Sequence, residues 1–225
     1  EAAREPGRDH LAEALAAIKG FDGQELERAL SQATAELGQF AVLHQVIVPL
    51  IHQIGELWQE GSLKIAHEHI ATAILRTFLG NLGRVYTLQD CAPRLLVTTP
   101  PGQMHELGAM LAAVTASNLG WRVTYLGPGV PAEEVAGAAL QNASRAVALS
   151  LVYPEDDPYL GTELVRLRQM LPAEVVILIG GRAAPAYSQV LESIGAIPIR
   201  NLGELQIRLD AIRKAGCALK PEPVS

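Results

Sequence analysis

Two hydrophobic periods in one chain predict an α + α/β protein, a four- or five-helix bundle followed by a five-stranded parallel sheet. Over residues 9–89 apolar side chains recur every three or four positions, the spacing of a single helical face. Beyond Asp90-Cys91-Ala92-Pro93 the period changes, and short apolar runs at 95–99, 121–126, 145–151, 174–179 and 196–199 alternate with amphipathic stretches. Strand, helix, strand with right-handed crossovers makes a parallel sheet covered on both faces, read here as flavodoxin/Rossmann-like with strand order 2-1-3-4-5. The domains are accordingly 9–89 and 94–216, with flexible ends at 1–8 and 217–225.

The first helix begins near His10, with Leu11, Leu15 and Ile18 on one face and Gly20 as its stop. Asp22 is placed to cap the second, whose face is Leu26, Leu30, Ala33 and Leu37 and whose stop is Gly38. A third helical region covers about 40–60, and Pro49 must start a new helix within it or kink it. The pattern buries Leu50, Ile51, Ile54, Leu57 and Trp58. Ser62 is the candidate cap of a fourth helix running through Ile65, His69, Ile70, Ala73, Ile74 and Phe78. In the second part, Asp156 and Asp157 read as a helix cap, Gly127-Pro128-Gly129 as the turn after the second strand, and 202–214 as the last helix.

Composition narrows the function. The chain has 225 residues, 49% of them apolar, which is enough for a real core. With 18 Lys and Arg against 24 Asp and Glu, the net charge of −6 lacks the basic footprint of direct nucleic-acid binding. No apolar run of membrane-span length and no signal peptide is expected, and Cys91 and Cys217, far apart, read as reduced thiols of a cytoplasmic protein. The opening Glu1 suggests an upstream segment.

Three features fall at the carboxyl ends of the first, third and fourth strands: His105, Ser150 and the pair Gly180-Gly181. In the order 2-1-3-4-5 these strands are neighbours, and the first and third flank the switch point where open α/β sheets keep their ligands. His105 could be a neutral imidazole metal ligand, Ser150 could donate deep in the same crevice, and the glycines allow close approach of an elongated group. Other signals are weaker. Aromatic residues mostly serve burial, so Trp58 by pattern alone is a core residue. His67 and His69 are two apart on a helix and point to different sides, unlike a zinc pair. Gly127-Pro128-Gly129 lacks the third glycine of a dinucleotide fingerprint.

The series Gln103-Met104-His105-x-x-Gly108, Ser150-x-Val152 and Gly180-Gly181 resembles the cobalamin-binding domains of the base-off, histidine-on type. The resemblance implies that His105 is the lower cobalt ligand and that the cofactor's displaced tail slots beside Ser150, Gly180 and Gly181. The departure is Gln103, where that family usually has an acid hydrogen-bonded to the histidine; a neutral amide can still accept from the imidazole. In the helical part Gly55-Glu56-Leu57-Trp58, Gly61 and Glu68-His69 resemble the cap of CarH-type, MerR-related photoreceptor regulators. That implies Trp58, Glu68 and His69 over the upper face of the cofactor, with the corrin held between bundle and sheet. Adenosylcobalamin is the implied form and methylcobalamin the other candidate. Gln59 stands where CarH has a histidine that ligates cobalt after illumination. The implied partners are further copies of the chain and an attached or separate output module, with neither nucleic acid nor membrane contacted by this segment. The rival is enzymatic, a corrinoid methyl carrier of a methyltransferase system.

Overall fold

The computed structural model describes residues 6–83 and 91–217, and the chain divides into two compact units, Glu1–Leu82 and Gly83–Ser225. In the first, α1 spans Pro6–Lys19, so residues 6–8 of the expected lead-in are helical while 1–5 lie outside the described residues. The expected end of the bundle at 84–89 also lies outside them, as does the tail beyond Cys217.

Helix α2, Gly23–Val42, starts where Asp22 accepts from the Glu25 N–H at 3.0 Å, satisfying one of the donors a helix start leaves open. Leu26, Ala29, Leu30 and Ala33 are its buried stripe. Gly38, at φ 80° and ψ 165°, breaks the helical geometry where a stop is expected, although the chain then resumes a helix. The segment Leu43–Ile47 is a π turn, in which the N–H of Val48 reaches back to the carbonyl of Leu43. Pro49, which has no N–H to contribute, falls in the first turn of α3, Val48–Gln59. It therefore opens a helix.

Four expectations for this unit are corrected. Helix α4 spans Ile65–Leu82, three residues beyond Ser62, so Ser62 is not its cap. Its buried stripe is Ala71, Leu75 and Leu79, with Ile70, Ile74 and Phe78 half-buried and Ile65, His69 and Ala73 exposed. Two apolar stripes run side by side on this helix, and its packing against α1, α2 and α3 covers the one through Ala71, Leu75 and Leu79. Trp58 is 48% exposed, because Leu50 and Ile54 complete the buried stripe and the next turn runs past the core to the end of α3. Against the expectation for membrane spans, the helical run Gly23–Gln59 has the length and apolarity of one, with mean hydropathy 1.3 over eighteen residues. The π turn fuses two helices into this run, and Leu30, Val42, Leu43, Val46, Ile47 and Leu50 within it are fully buried in the helical unit.

In the second unit β1 is Arg94–Thr98, β2 Arg122–Tyr125, β3 Ala146–Ser150, β4 Val176–Gly180 and β5 Ile197–Ile199. All pairings are parallel, in the order β2-β1-β3-β4-β5 that the sequence predicts. Helices α5 (Leu107–Asn118), α6 (Ala132–Gln141), α7 (Leu160–Met170), α8 (Ser188–Ser193) and α9 (Leu202–Cys217) intervene, and a short 3-10 turn, Ala184–Tyr187, precedes α8. Side chains alternate between the two faces. Leu96, Val147, Leu149, Ile177 and Ile179 pack with α6, α7 and α8, whereas Leu95, Val97, Ala146, Ala148 and Leu178 pack with α5 and α9. Two buried faces lock the register, and the register sets which residues end at the same rim.

Candidate functional site at the carboxyl rim of the sheet

The loop from β1 to α5 is fastened before it reaches His105. Thr98 and Thr99 are fully buried; the Thr98 hydroxyl donates to the Gly127 carbonyl at 2.6 Å. Thr99 donates to the Gln103 carbonyl and accepts from the Gly129 N–H at 2.9 Å. These bonds tie the loop to the turn after β2. Met104, 64% exposed, lies against that turn too, since a Cβ at Gly129 would meet its Sδ at 3.3 Å. On the other side a Cβ at Gly102 would stand 2.7 Å from Asp157 Oδ2, so the loop after β3 leans on the loop after β1. Asp157 does not cap α7 as expected. Its carboxylate accepts from the Tyr159 N–H two residues on, and α7 starts only at Leu160.

Gln103 is fully buried, and its side chain is committed to the loop after β3. Its Oε1 accepts from the Val152 N–H at 2.7 Å and the Tyr153 N–H at 2.9 Å, and its Nε2 donates to the Pro154 carbonyl at 2.9 Å. This corrects the expectation that Gln103 accepts from His105: both lone pairs of the amide oxygen are in use. The His105 side chain is exposed, and among the described residues neither of its ring nitrogens is hydrogen-bonded. Its ring meets the ring of Tyr153 edge to face, with centroids 5.8 Å apart at 82°. Glu106, nearly buried, accepts instead from the Tyr125 hydroxyl on β2.

Ser150 and Gly180 are register partners on β3 and β4. Ser150 is 6% exposed, yet its hydroxyl has no hydrogen-bond partner among the described residues. A Cβ at Gly108, in the first turn of α5, would stand 2.6 Å from that hydroxyl and 4.0 Å from a Val152 methyl. The missing side chain is therefore what lets the hydroxyl lie against the helix start. Gly180 faces the Ile199 carbonyl with room for no more than a tight contact, 3.0 Å to an added Cβ. Gly181 has φ +104°, and a Cβ there would fall 2.1 Å from the Leu151 carbonyl oxygen, so only glycine is accommodated. Beyond it the Tyr187 hydroxyl donates to the Asp157 carbonyl at 3.1 Å, and burial foremost, with the Asp157 and Asp156 charges, holds the phenol above its ordinary pKa. Tyr187 is thus a neutral donor that ties the segment after β4 to the loop after β3.

One rim therefore gathers Gln103, Met104, His105, Gly108, Ser150, Val152, Gly180 and Gly181. The hydroxyl of a nearly buried serine, unpartnered among the described residues, a helix start with a glycine beside it and an exposed imidazole nearby on the same loop form a donor set that fits a ligand carrying a metal and a polar tail. In the helical unit, Trp58 is followed by the turn in which the Gly61 N–H bonds the Trp58 carbonyl at 3.0 Å. Glu68 accepts from the Thr72 hydroxyl at 2.8 Å and lies 3.8 Å from His69 Nε2, whose side chain is 72% exposed. His67 takes another direction and packs edge-on against Phe21, 5.5 Å between centroids. Tyr153, Thr99 and Tyr187 escape the sequence reading. The signal for Tyr153 is its place directly after Ser150-x-Val152 and before a proline; the two hydroxyl ties have none.

Residues 11–82 match a protein family described as a B12 binding domain, and residues 93–207 match a second family of the same description. The HTH-type transcriptional repressor CarH of Myxococcus xanthus is 33% identical over 180 residues, which are 80% of this chain and 60% of that protein. The HTH-type transcriptional repressor CarA of the same organism is 29% identical over 213 residues, 94% of this chain and 72% of CarA. This chain thus spans about 60% of the length of the first of these relatives. Among solved structures, a monomethylamine corrinoid protein of Methanosarcina barkeri is similar with a TM-score of 0.70 at 17% identity, over 91% of this chain and 99% of that one. At that identity the likeness speaks for the fold alone.

Proposed function

Because the chain belongs to the B12 binding domain family, we propose that it is a cytoplasmic cobalamin sensor that responds to light and acts through assembly or an attached output module. The single observation that carries the reading is the convergence at one sheet rim of an exposed imidazole and a serine hydroxyl that, among the described residues, has no hydrogen-bond partner and lies against Gly108. His105 would hold the cofactor's cobalt, offering a ring nitrogen that has no hydrogen-bond partner among the described residues. Ser150, beside Gly108 and next to Gly180 in the register, would donate its hydroxyl to the cofactor's tail. Trp58, Glu68 and His69 of the helical unit would be the residues that meet the group carried by the cobalt. When bound, adenosylcobalamin supplies a cobalt–carbon bond that light can break. The tryptophan would shield that side from water, and Glu68, oriented by Thr72, would accept from a hydroxyl of the upper ligand.

Two features favour a sensor over a methyl carrier. CarH and CarA, the two relatives described above, are transcriptional repressors, and the chain carries the Trp58 and Glu68-His69 combination of the CarH-type cap. With a net charge of −6, any contact with DNA would fall to another segment or partner. The test mixes the purified chain with adenosylcobalamin in the dark and records absorbance and size-exclusion mass before and after green light. A bound cofactor with light-dependent spectrum and mass supports the sensor. Tight binding of methylcobalamin with no light-dependent mass change supports the methyl carrier instead.

A further inference from the structure

We infer that Gln103 and Tyr153 are positioning residues that together set the pose of His105, replacing the acid–histidine hydrogen bond with an amide latch and an aromatic contact. The inference rests on the reading of His105 as a cobalt ligand, but its structural half does not. A primary amide offers two acceptor lone pairs and two donor hydrogens. Gln103 uses both lone pairs on successive N–H groups, Val152 and Tyr153, and one hydrogen on the Pro154 carbonyl. No other side chain satisfies that set from this position. A carboxylate accepts but cannot donate to Pro154, and asparagine is one methylene shorter.

The latch reaches about fifty residues along the sequence and fixes three consecutive backbone units of the loop after β3. The middle unit carries Tyr153, whose ring is half-exposed and is held edge to face against His105. With no hydrogen bond to either ring nitrogen among the described residues, His105 takes its orientation from that contact. Chemically, the replacement matters because a carboxylate behind a ligating imidazole fixes its tautomer and raises its basicity, whereas an aromatic edge does neither. The lower ligand of this chain is therefore oriented without being strengthened. Whether His105 occupies cobalt depends on the loop after β3 as much as on the loop that bears it.

The experiment compares wild type with Gln103→Ala, Tyr153→Ala and Tyr153→Phe, each in two states. In the cofactor-free protein, NMR reads the ring-current shift of the His105 protons and the hydrogen-exchange rates of the Val152 and Tyr153 amides. In protein loaded with cob(II)alamin, electron paramagnetic resonance with nitrogen-15 histidine reads the fraction of cobalt bound to an imidazole, and His105→Ala assigns the signal. Gln103→Ala is expected to raise exchange at both amides about tenfold or more and to lower the histidine-bound fraction. Tyr153→Ala should abolish the ring-current shift and lower the histidine-bound fraction several-fold, while Tyr153→Phe keeps both. Unchanged exchange in Gln103→Ala, or an unchanged shift in Tyr153→Ala, overturns the positioning role whatever the cofactor does. A normal shift and latch in a wild type whose cobalt shows no histidine signal overturns the ligand reading instead. A Tyr153→Ala variant that loses the shift but keeps the full histidine-bound fraction overturns the control of ligation.

Discussion

Replacing Gly181 by alanine tests whether the rim beside Ser150 is closed to side chains. The added Cβ would stand 2.1 Å from the Leu151 oxygen, 2.7 Å from its carbonyl carbon and 2.8 Å from its nitrogen, all of them backbone atoms. Those atoms cannot rotate away. The Leu151 N–H donates to the Gly180 carbonyl at 2.8 Å and its oxygen accepts from the Ala183 N–H at 3.0 Å, so relief must break or stretch these bonds. Holding alanine at φ +104° costs about 1–3 kcal/mol, and displacing a packed neighbour costs about 1–3 kcal/mol more. The expected loss is about 4 kcal/mol, or roughly 2 M in urea midpoint for an m-value of about 2 kcal/mol/M. Trp121 is fully buried in the sheet unit and is one of two tryptophans, so its fluorescence in a Trp58→Phe background reports that unit's unfolding. Gly127→Ala is the control, with φ +83° but nothing within 4 Å of the added carbon, and should cost only about 1–2 kcal/mol. A Gly181→Ala protein that unfolds within about 1 kcal/mol of wild type would refute the crowding.

Four further outcomes are expected. Gly55→Ala, in the interior of α3 with nothing within 4 Å of the new carbon, should stabilise the helical unit by about 0.5–1 kcal/mol, read by circular dichroism in urea. Asp22→Ala removes the acceptor for the Glu25 N–H and should destabilise the same unit by about 1 kcal/mol, by the same measurement. Gln103→Ala leaves two N–H groups and one carbonyl without their partner and should destabilise the sheet unit by about 2–4 kcal/mol, followed by Trp121 fluorescence. The Glu204 carboxyl is held below its usual pKa, foremost by the Arg200 side chain. A lowered folded value gives stability that is present above the ordinary carboxylate range and lost as pH falls through the folded value. The Arg200→Ala difference in urea midpoint should therefore shrink on acidification.

What the sequence makes legible follows from which forces are local. The three central strands, β1, β3 and β4, coincide with apolar runs, because a parallel strand buried on both faces favours continuous apolar residues. Asp22 is found from its position alone, since capping involves only the next three residues. The face of α4 is not, because Ile70-Ile74-Phe78 and Ala71-Leu75-Leu79 are both apolar stripes and only tertiary packing chooses between them. Trp58 continues the spacing of Leu50 and Ile54, and periodicity cannot tell that the core ends one turn earlier. Among the rim residues, His105, Ser150, Gly180 and Gly181 are legible from strand ends and glycine chemistry. The partners of Gln103 are not, because its hydrogen bonds are made with a loop about fifty residues away. Nor is Tyr153, whose contact with His105 exists only once that loop is latched.

The most direct measurement of the central claim loads wild type and His105→Ala with adenosylcobalamin in the dark and records absorbance and size-exclusion mass before and after green light. The expected result is a histidine-ligated spectrum in wild type that is lost in His105→Ala, and a light-dependent change of spectrum and mass in wild type. A wild-type protein that excludes the cofactor, or one whose bound spectrum is identical in His105→Ala and whose mass ignores light, would contradict it.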